Sequence, residues 1–360
     1  MGSSSETVTY NTIAALALDK LSDQIADNIS QSNAAFFFYK KKGNWEGTTS
    51  GGRQLRKSVM YQLQTIRPIG SYGSVNLNPI DSHTSAYFTW SQTAVPVSFS
   101  DMEEFETSGS ESIETIVKAK YQQATASLDD FFSRALLYGQ ADVDGSSFTT
   151  AITSPTDSSV FIDPITKIVD AAPSGDRSIG GINQNTNTWW RNQQASSSAT
   201  TMAAFLQELR ALHIKCLRGG GGNDKAPDFH LVTERTYNIY EKCLASYYHN
   251  TSQAKADIPY ENVIFKGSPV IADYYVPDAA GGHVSEDTDA EGSWYMLNSA
   301  WMGFMFDKGK SFKMGPTVRP NNQLVSSSLM PVRGTHWCNN RRKLGVLTSV
   351  GLSTLETATS

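Results

Sequence analysis

Cysteine, charge of one sign and long apolar runs are all scarce in this sequence, and each scarcity removes a class of function. Only Cys216, Cys243 and Cys338 occur in 360 residues. They are far apart, odd in number and outside any metal-ligand spacing, a pattern that fits reduced thiols and predicts no disulfide. Thirty-five acidic against thirty basic residues leave a formal net charge of −5. No global basic field therefore marks a nucleic-acid binder, and only a local patch is left open. No apolar stretch approaches the roughly 20 residues that span a bilayer, so no membrane role is expected. Met1 to Tyr10 lacks the basic-then-apolar order of a signal peptide, so the Asn250-Thr251-Ser252 triplet has no secretory context to give it meaning.

The chemistry of a catalytic or metal site is equally thin. The six histidines, His83, His213, His230, His249, His283 and His336, are scattered with no second His or Cys at ligand spacing, and each reads as a surface or loop residue. Asp287, Asp289, Glu291 and Gly292 imitate the start of a calcium loop, but Asn298 occupies the place of the closing carboxylate. Gly219 to Gly222 lacks a following Lys-Ser/Thr pair and comes after a helix, where a phosphate loop would follow a strand. No G-x-S-x-G nucleophile elbow occurs. The sequence therefore predicts no catalytic residue, no cofactor and no metal, and the chain is expected not to be an enzyme.

What is present is one long periodic segment. From Gly109 to Tyr138 the apolar residues Ile113, Ile116, Val117, Tyr121, Ala124, Leu128, Phe131, Phe132, Ala135 and Leu136 recur at steps of three and four, uninterrupted by Gly or Pro. Ser110 with Glu111 and Glu114 suits a helix start, and Gly139 suits its C-terminal cap. The helix would run about 45 Å. With β-rich sequence on both sides it reads as a spine whose core face holds Ile113, Ile116, Val117, Leu128 and Phe131.

Ahead of the spine, Tyr10 to Ile29 carries Ile13, Leu16, Leu18, Leu21, Ile25 and Ile29 mostly at helical spacing, an amphipathic arm too short to be a domain. An aromatic run, Phe36 to Tyr39, then abuts Lys40, Lys41 and Lys42. Two readings stand for this cluster: a solvated basic edge on a buried element, or contact with nucleic acid. After Gly51-Gly52, Val59 to Ile66 and Ala86 to Phe99 are rich in β-branched and aromatic residues around a turn-forming tip, Gly70 to Ser85. An isolated excursion of this kind is marginal in water, so it needs a neighbouring surface, hence a partner subunit, and is expected to contribute little to the subunit core.

Beyond the spine, polar residues flanking Trp189-Trp190 predict a structured loop with one indole buried and the other covering an edge. Thr200 to Leu217 reads as a second amphipathic helix, and Ala226 to Pro320 as a compact α+β unit with an acidic surface loop at Asp278 to Gly292. Leu324 to Val350 alternates enough apolar residues to return as β-structure. Arg341, Arg342 and Lys343, with Arg333 upstream, form the strongest basic cluster, open to two readings: a phosphate contact, or a salt-bridged or subunit-facing patch.

These motifs, taken in order, resemble a family. Tyr87-Phe88-Thr89-Trp90-Ser91-Gln92 with Val95-Pro96-Val97, then Gly180-Gly181-Ile182-Asn183, Trp189-Trp190-Arg191-Asn192, Phe265-Lys266-Gly267-Ser268-Pro269-Val270 and Tyr295-Met296-Leu297-Asn298 look like the corresponding motifs of tailed-bacteriophage major capsid proteins. The resemblance runs from about Tyr10 to Val350, with Asn183 where an acidic residue is more usual. It implies the α+β capsid fold named after phage Hong Kong 97. On that fold Met1–Gly52 is an N-terminal arm, Arg53–Ser100 an extended β-hairpin loop, Asp101–Lys225 a peripheral domain with the spine helix, Ala226–Pro320 an axial domain, and Asn321–Ser360 a return to the peripheral domain. It also implies hexamers and pentamers of this chain closing an icosahedral head, assembled in a bacterial host's cytoplasm. The implied partners are a portal, scaffolding or decoration proteins, and packaged double-stranded DNA held without sequence preference. An encapsulin-like cellular compartment would share the fold and differ in cargo, and an enzyme of unidentified chemistry is the third reading.

Overall fold

In the computed structural model, the described residues are 45–48, 52–74, 78–100, most of 120–137, 162–218, 226–245, 263–273, 276, 291–351 apart from 310, 312 and 322, and 355. The amphipathic arm, Lys40 to Lys42, the tetraglycine and the acidic loop at 278–290 lie outside them, as do Ile13, Leu16, Leu21, Ile25, Ile113, Ile116 and Val117.

In chain order the strands are β1 (Trp45–Thr48), β2 (Gln54–Met60), β3 (His83–Thr89), β4 (Ser91–Ser100), β5 (Ser178–Ile179), β6 (Ile182–Asn183), β7 (Gln193–Ser196), β8 (Phe229–Val232), β9 (Val263–Phe265), β10 (Ser268–Ala272), β11 (Glu291–Leu297), β12 (Met302–Asp307), β13 (Val325–Cys338) and β14 (Gly345–Gly351). The spine, α1, is helical at 120–125, 127–128, 131–132 and 135–137. Helices α2 (Met202–Leu217) and α3 (Glu234–Ala245) follow.

Two larger sheets organise the fold. One has the order β1-β12-β13-β4, the other β7-β14-β11-β8-β10-β9. The second sheet is buried on both faces, which explains why all four residues of β8 are buried. Phe229, Leu231, Tyr295, Leu297 and Val346 point toward the spine-side core. The alternate residues Val232, Trp294, Met296 and Leu347 meet Phe205, Leu209 and Leu212 of α2 and Ile239 and Tyr240 of α3 on the other side. This unit gathers elements from beyond Ala226–Pro320: β7 and α2 come from before it and β14 from after it, while β12 joins the other sheet. The tail therefore returns to both sheets, β13 to one and β14 to the other.

The spine packs as its spacing predicts over the described stretch. Tyr121, Ala124, Leu128, Phe132, Ala135 and Leu136 are buried, Phe131 is half-buried, and Gln122 and Gln123 are exposed. Phe132 meets Phe304 of β12 edge-on at 6.2 Å, and the Tyr121 hydroxyl donates to Met330 Sδ of β13 at 3.7 Å. The spine thus lies on the four-stranded sheet.

β13 tolerates Pro331 in mid-strand because its two neighbours divide its length. β4 pairs with Val325 to Gly334, whereas β12 pairs only with Gly334 to Cys338. At Pro331 the strand is an edge on one side, where a missing N–H leaves no ladder bond unmade. α2 starts at Thr201, whose hydroxyl accepts from the Ala204 amide at 3.3 Å. The β9–β10 turn has φ of 51° at Lys266 and 88° at Gly267, the left-handed pair that a tight hairpin requires.

Candidate assembly site

The excursion after Gly52 divides into two parts. β2 and β3 pair antiparallel from Gln54 opposite Thr89 to Met60 opposite His83. Alternation sends Val59, Ala86 and Phe88 into the main core, with Leu55 packed against it, and leaves Gln54, Arg56, Ser58, Met60 and Tyr87 facing out. The expectation that this loop adds little to the core is therefore corrected for its base. The base is also held by cations. Lys57 Nζ sits 3.6 Å over the Trp337 ring, and Arg333 lies 5.2 Å over Trp90 while its Nη2 donates to Gly52 O at 3.1 Å.

Both strands are shorter than their composition suggests. The ladder closes with Tyr61 N donating to Ser82 O at 3.0 Å, and no strand pairing is found at described residues between 61 and 82. The apolar run Ala86 to Phe99 is two strands, broken at Trp90, where the chain leaves the hairpin and β4 enters the four-stranded sheet. From 62 to 74 the side chains face solvent, among them Leu63 (76% exposed), Ile66 (92%), Ile69 (53%) and Tyr72 (103%). Tetrads of this size are seldom left uncovered on a monomer.

A second loop, 170–192, wraps the base of the hairpin. Gly180 and Gly181 have φ of 62° and 77°, the two left-handed positions of a two-residue turn joining β5 to β6. Gly180 O accepts from Tyr87 N at 2.9 Å. A Cβ on Gly180 would come within 2.9 Å of the Ala86 Cβ, so glycine is demanded there by conformation and by the close approach of β3. Trp190 is buried with Nε1 donating to Ile179 O at 3.0 Å. Trp189 is half-buried and stacks on Tyr61 at 5.0 Å and 22°, so one indole is buried and its neighbour covers an edge.

Arg341 anchors this loop. Its Nε donates to Ile168 O (2.7 Å), Nη1 to Gln184 Oε1 (3.0 Å) and Trp190 O (2.9 Å), and Nη2 to Gln184 Oε1 and Asn192 Oδ1 (both 3.0 Å). Gln184 in turn donates to Asp170 Oδ2 at 2.6 Å, and Arg177 pairs with Asp170 Oδ1 at 3.3 Å. Burial pulls the Arg341 pKa down to about 10, which leaves the guanidinium charged at neutral pH, satisfied by oxygens rather than by water.

No protein-family model and no curated protein matches the sequence. Among solved structures, the chain is similar to the Cyanophage A-1(L) capsid asymmetric unit, with a TM-score of 0.58 at 13% identity over 98% of this chain and 95% of that one. The chain has a phage capsid fold. Similarity also extends to the holo-SrpI encapsulin complex of Synechococcus elongatus PCC 7942, at 0.49 and 10% identity over 89% of this chain and 90% of that one. The capsid of a native GTA particle scores 0.48 at 10% identity over 85% and 88%.

On this capsid fold the C-terminal basic cluster is corrected. Arg341 and Lys343 are buried and only Arg342 is exposed. Lys343 Nζ donates to Leu217 O at 2.8 Å, satisfying a carbonyl at the end of α2. Two of the three cations are thus spent on backbone and side-chain oxygens inside the subunit. Three histidines are also corrected: His213, His230 and His336 are buried. His230 accepts from Trp294 Nε1 at 3.3 Å and packs 5.4 Å from the Phe265 ring. Burial, with His213 nearby, pulls the His230 pKa down to about 3, and burial pulls His336 down to about 4. All three cysteines are free and buried, and no metal-holding cluster occurs among the described residues. Lys57, Asp170 and Gln184 carry no sequence signal of their roles. Gly180-Gly181 and the tryptophan pair flagged the loop but not the arginine that holds it.

Proposed function

We propose that this chain is the major capsid protein of a tailed bacteriophage, forming hexamers and pentamers that close into an icosahedral head around double-stranded DNA. The observation that carries the reading is the tip. Leu63, Ile66, Ile69 and Tyr72 project from a base fixed in the core, so their apolar surface has no cover among the described residues and a second copy is the natural cover. The role is structural, not catalytic. Met1–Gly52 would serve as the arm whose stripe at Ile13, Leu16, Leu21 and Ile25 reaches a neighbour. Lys40, Lys41, Lys42 and Arg342 are the remaining candidates for contact with packaged DNA or an adjacent subunit.

Sedimentation and negative-stain imaging of purified protein test the assembly claim. Closed shells or rings are expected, and the triple change Leu63→Ser, Ile66→Ser, Ile69→Ser should yield folded subunits that do not close. A monodisperse monomer at micromolar concentration would overturn it. Nuclease-resistant double-stranded DNA in particles made together with the other virion genes separates a phage head from a cargo compartment.

A further inference from the structure

We propose that loop 178–192 is a clasp that fixes the direction in which the extended loop leaves the subunit. Two latches on opposite strands of the hairpin carry this. On β3, Gly180 O takes the Tyr87 amide, and Gly180 lies against Ala86 so closely that no side chain fits between them. At the end of β2, Trp189 stacks on Tyr61, the residue whose amide makes the last ladder bond before the tip begins. The stack therefore sits at the boundary between paired and unpaired chain, where a small rotation swings 62–74.

Neither latch is free to drift. Trp190, next to Trp189, is buried and bonded to Ile179 O, and its own carbonyl is held by Arg341. Arg341 is in turn fixed by Ile168, Gln184 and Asn192. Through Gln184 and Trp190 the buried guanidinium holds the arm after the Gly180-Gly181 turn, Trp190 Nε1 on Ile179 O ties the arm before it, and the clasp holds the hairpin. Tyr61, Trp189 and Gly180 are positioning residues: they set the pose of a surface and do not themselves supply it. The importance of that pose for shell geometry rests on the capsid reading, but the clasp itself is a property of the single subunit.

The test uses unassembled subunits, so its failure is distinct from failure to assemble. Nitroxide labels at Gly70→Cys on the tip and Lys215→Cys on α2 report the pose. Labelling is selective because the native thiols are buried, Cys216 and Cys338 with pKa values pushed up to about 12 by burial. Trp189→Ala and Tyr61→Ala should each broaden the distance distribution and speed amide exchange at Tyr61 by roughly two- to twelve-fold, the value of one aromatic pair. The double variant should go no further than either single, and Trp189→Phe should restore the parental distribution. A parental distribution and exchange rate in Tyr61→Ala, whose side chain lies outside the core and whose loss should not unfold the chain, would overturn the clasp. So would fully additive effects in the double variant.

Discussion

The two halves of the extended loop have comparable apolar content and opposite fates. In the base, Val59, Ala86 and Phe88 are buried. In the tip, Leu63, Ile66, Ile69 and Tyr72 are exposed. What differs is spacing. The base residues alternate in steps of two along paired strands, so one face of the ladder meets the sheet beneath. The tip residues fall in steps of three, a period that a ladder would split between both faces, and no ladder forms there. A chain turning once every three residues would align all four along one edge. Hydrophobicity alone does not bury a residue; a period matched to a surface does.

That contrast breaks most sharply at Phe88. Phe88→Ala should cost about 3–5 kcal/mol of subunit stability, read as a lowered denaturant midpoint with an unchanged slope. Arg341→Met, which leaves Gln184 Oε1, Asn192 Oδ1 and the Ile168 and Trp190 carbonyls without their buried donor, should cost about 3 kcal/mol or more, whereas Arg342→Ala beside it should change stability by less than about 0.5 kcal/mol. Equal effects at 341 and 342 would return the cluster to the surface.

Acid should weaken the body and spare the tip. His230 and His336 are held neutral in the folded chain, with pKa values near 3 and 4, while the unfolded chain takes up protons below about pH 6.5. Stability conferred by their neutral forms is therefore complete above pH 6.5 and lost as pH falls toward the folded values. The slope is roughly 1 kcal/mol per pH unit for each group. His230→Phe should flatten the dependence of the denaturation midpoint between pH 7 and 5, whatever its offset at pH 7. An unchanged slope would show that His230 does not carry it.

The smallest effect on stability belongs to the tip. Leu63→Ala should shift subunit stability by no more than about 0.5 kcal/mol. Brief proteolysis of unassembled subunits should cut within 62–74 and leave 54–60 intact. Cutting in the base at the same rate would erase the distinction between the halves.

How much of this the sequence discloses varies by element. The spine face at Tyr121, Ala124, Leu128 and Phe132 is legible because one helix stripe meets one sheet. The hairpin is legible as a pair of strands, but its limits are not. Trp90 continues the β-forming composition while the chain changes sheets, and only tertiary pairing shows the break. The buried polar centre is hidden for a related reason. Arg341 sits beside Arg342 and Lys343, a run that reads as a solvated patch, and its oxygen partners come from residues more than a hundred positions away. The buried histidines mislead in the same way, since nothing near His230 in sequence indicates an aromatic box.

β13 has a mechanical consequence. Its ladder with β4 holds ten aligned residue pairs, and β4 is the direct continuation, through Trp90, of the hairpin's second strand. A pull along the extended loop therefore reaches the subunit as shear on that ladder, in which many hydrogen bonds must fail together, rather than as peeling, in which they fail one by one. Just beyond the ladder, Trp337 under Lys57, then Arg341 in the clasp and Lys343 at the end of α2, follow on the same stretch of chain. Load entering at the tip thus passes along β13 toward Arg341 and Lys343, whose contacts reach the clasp and the end of α2.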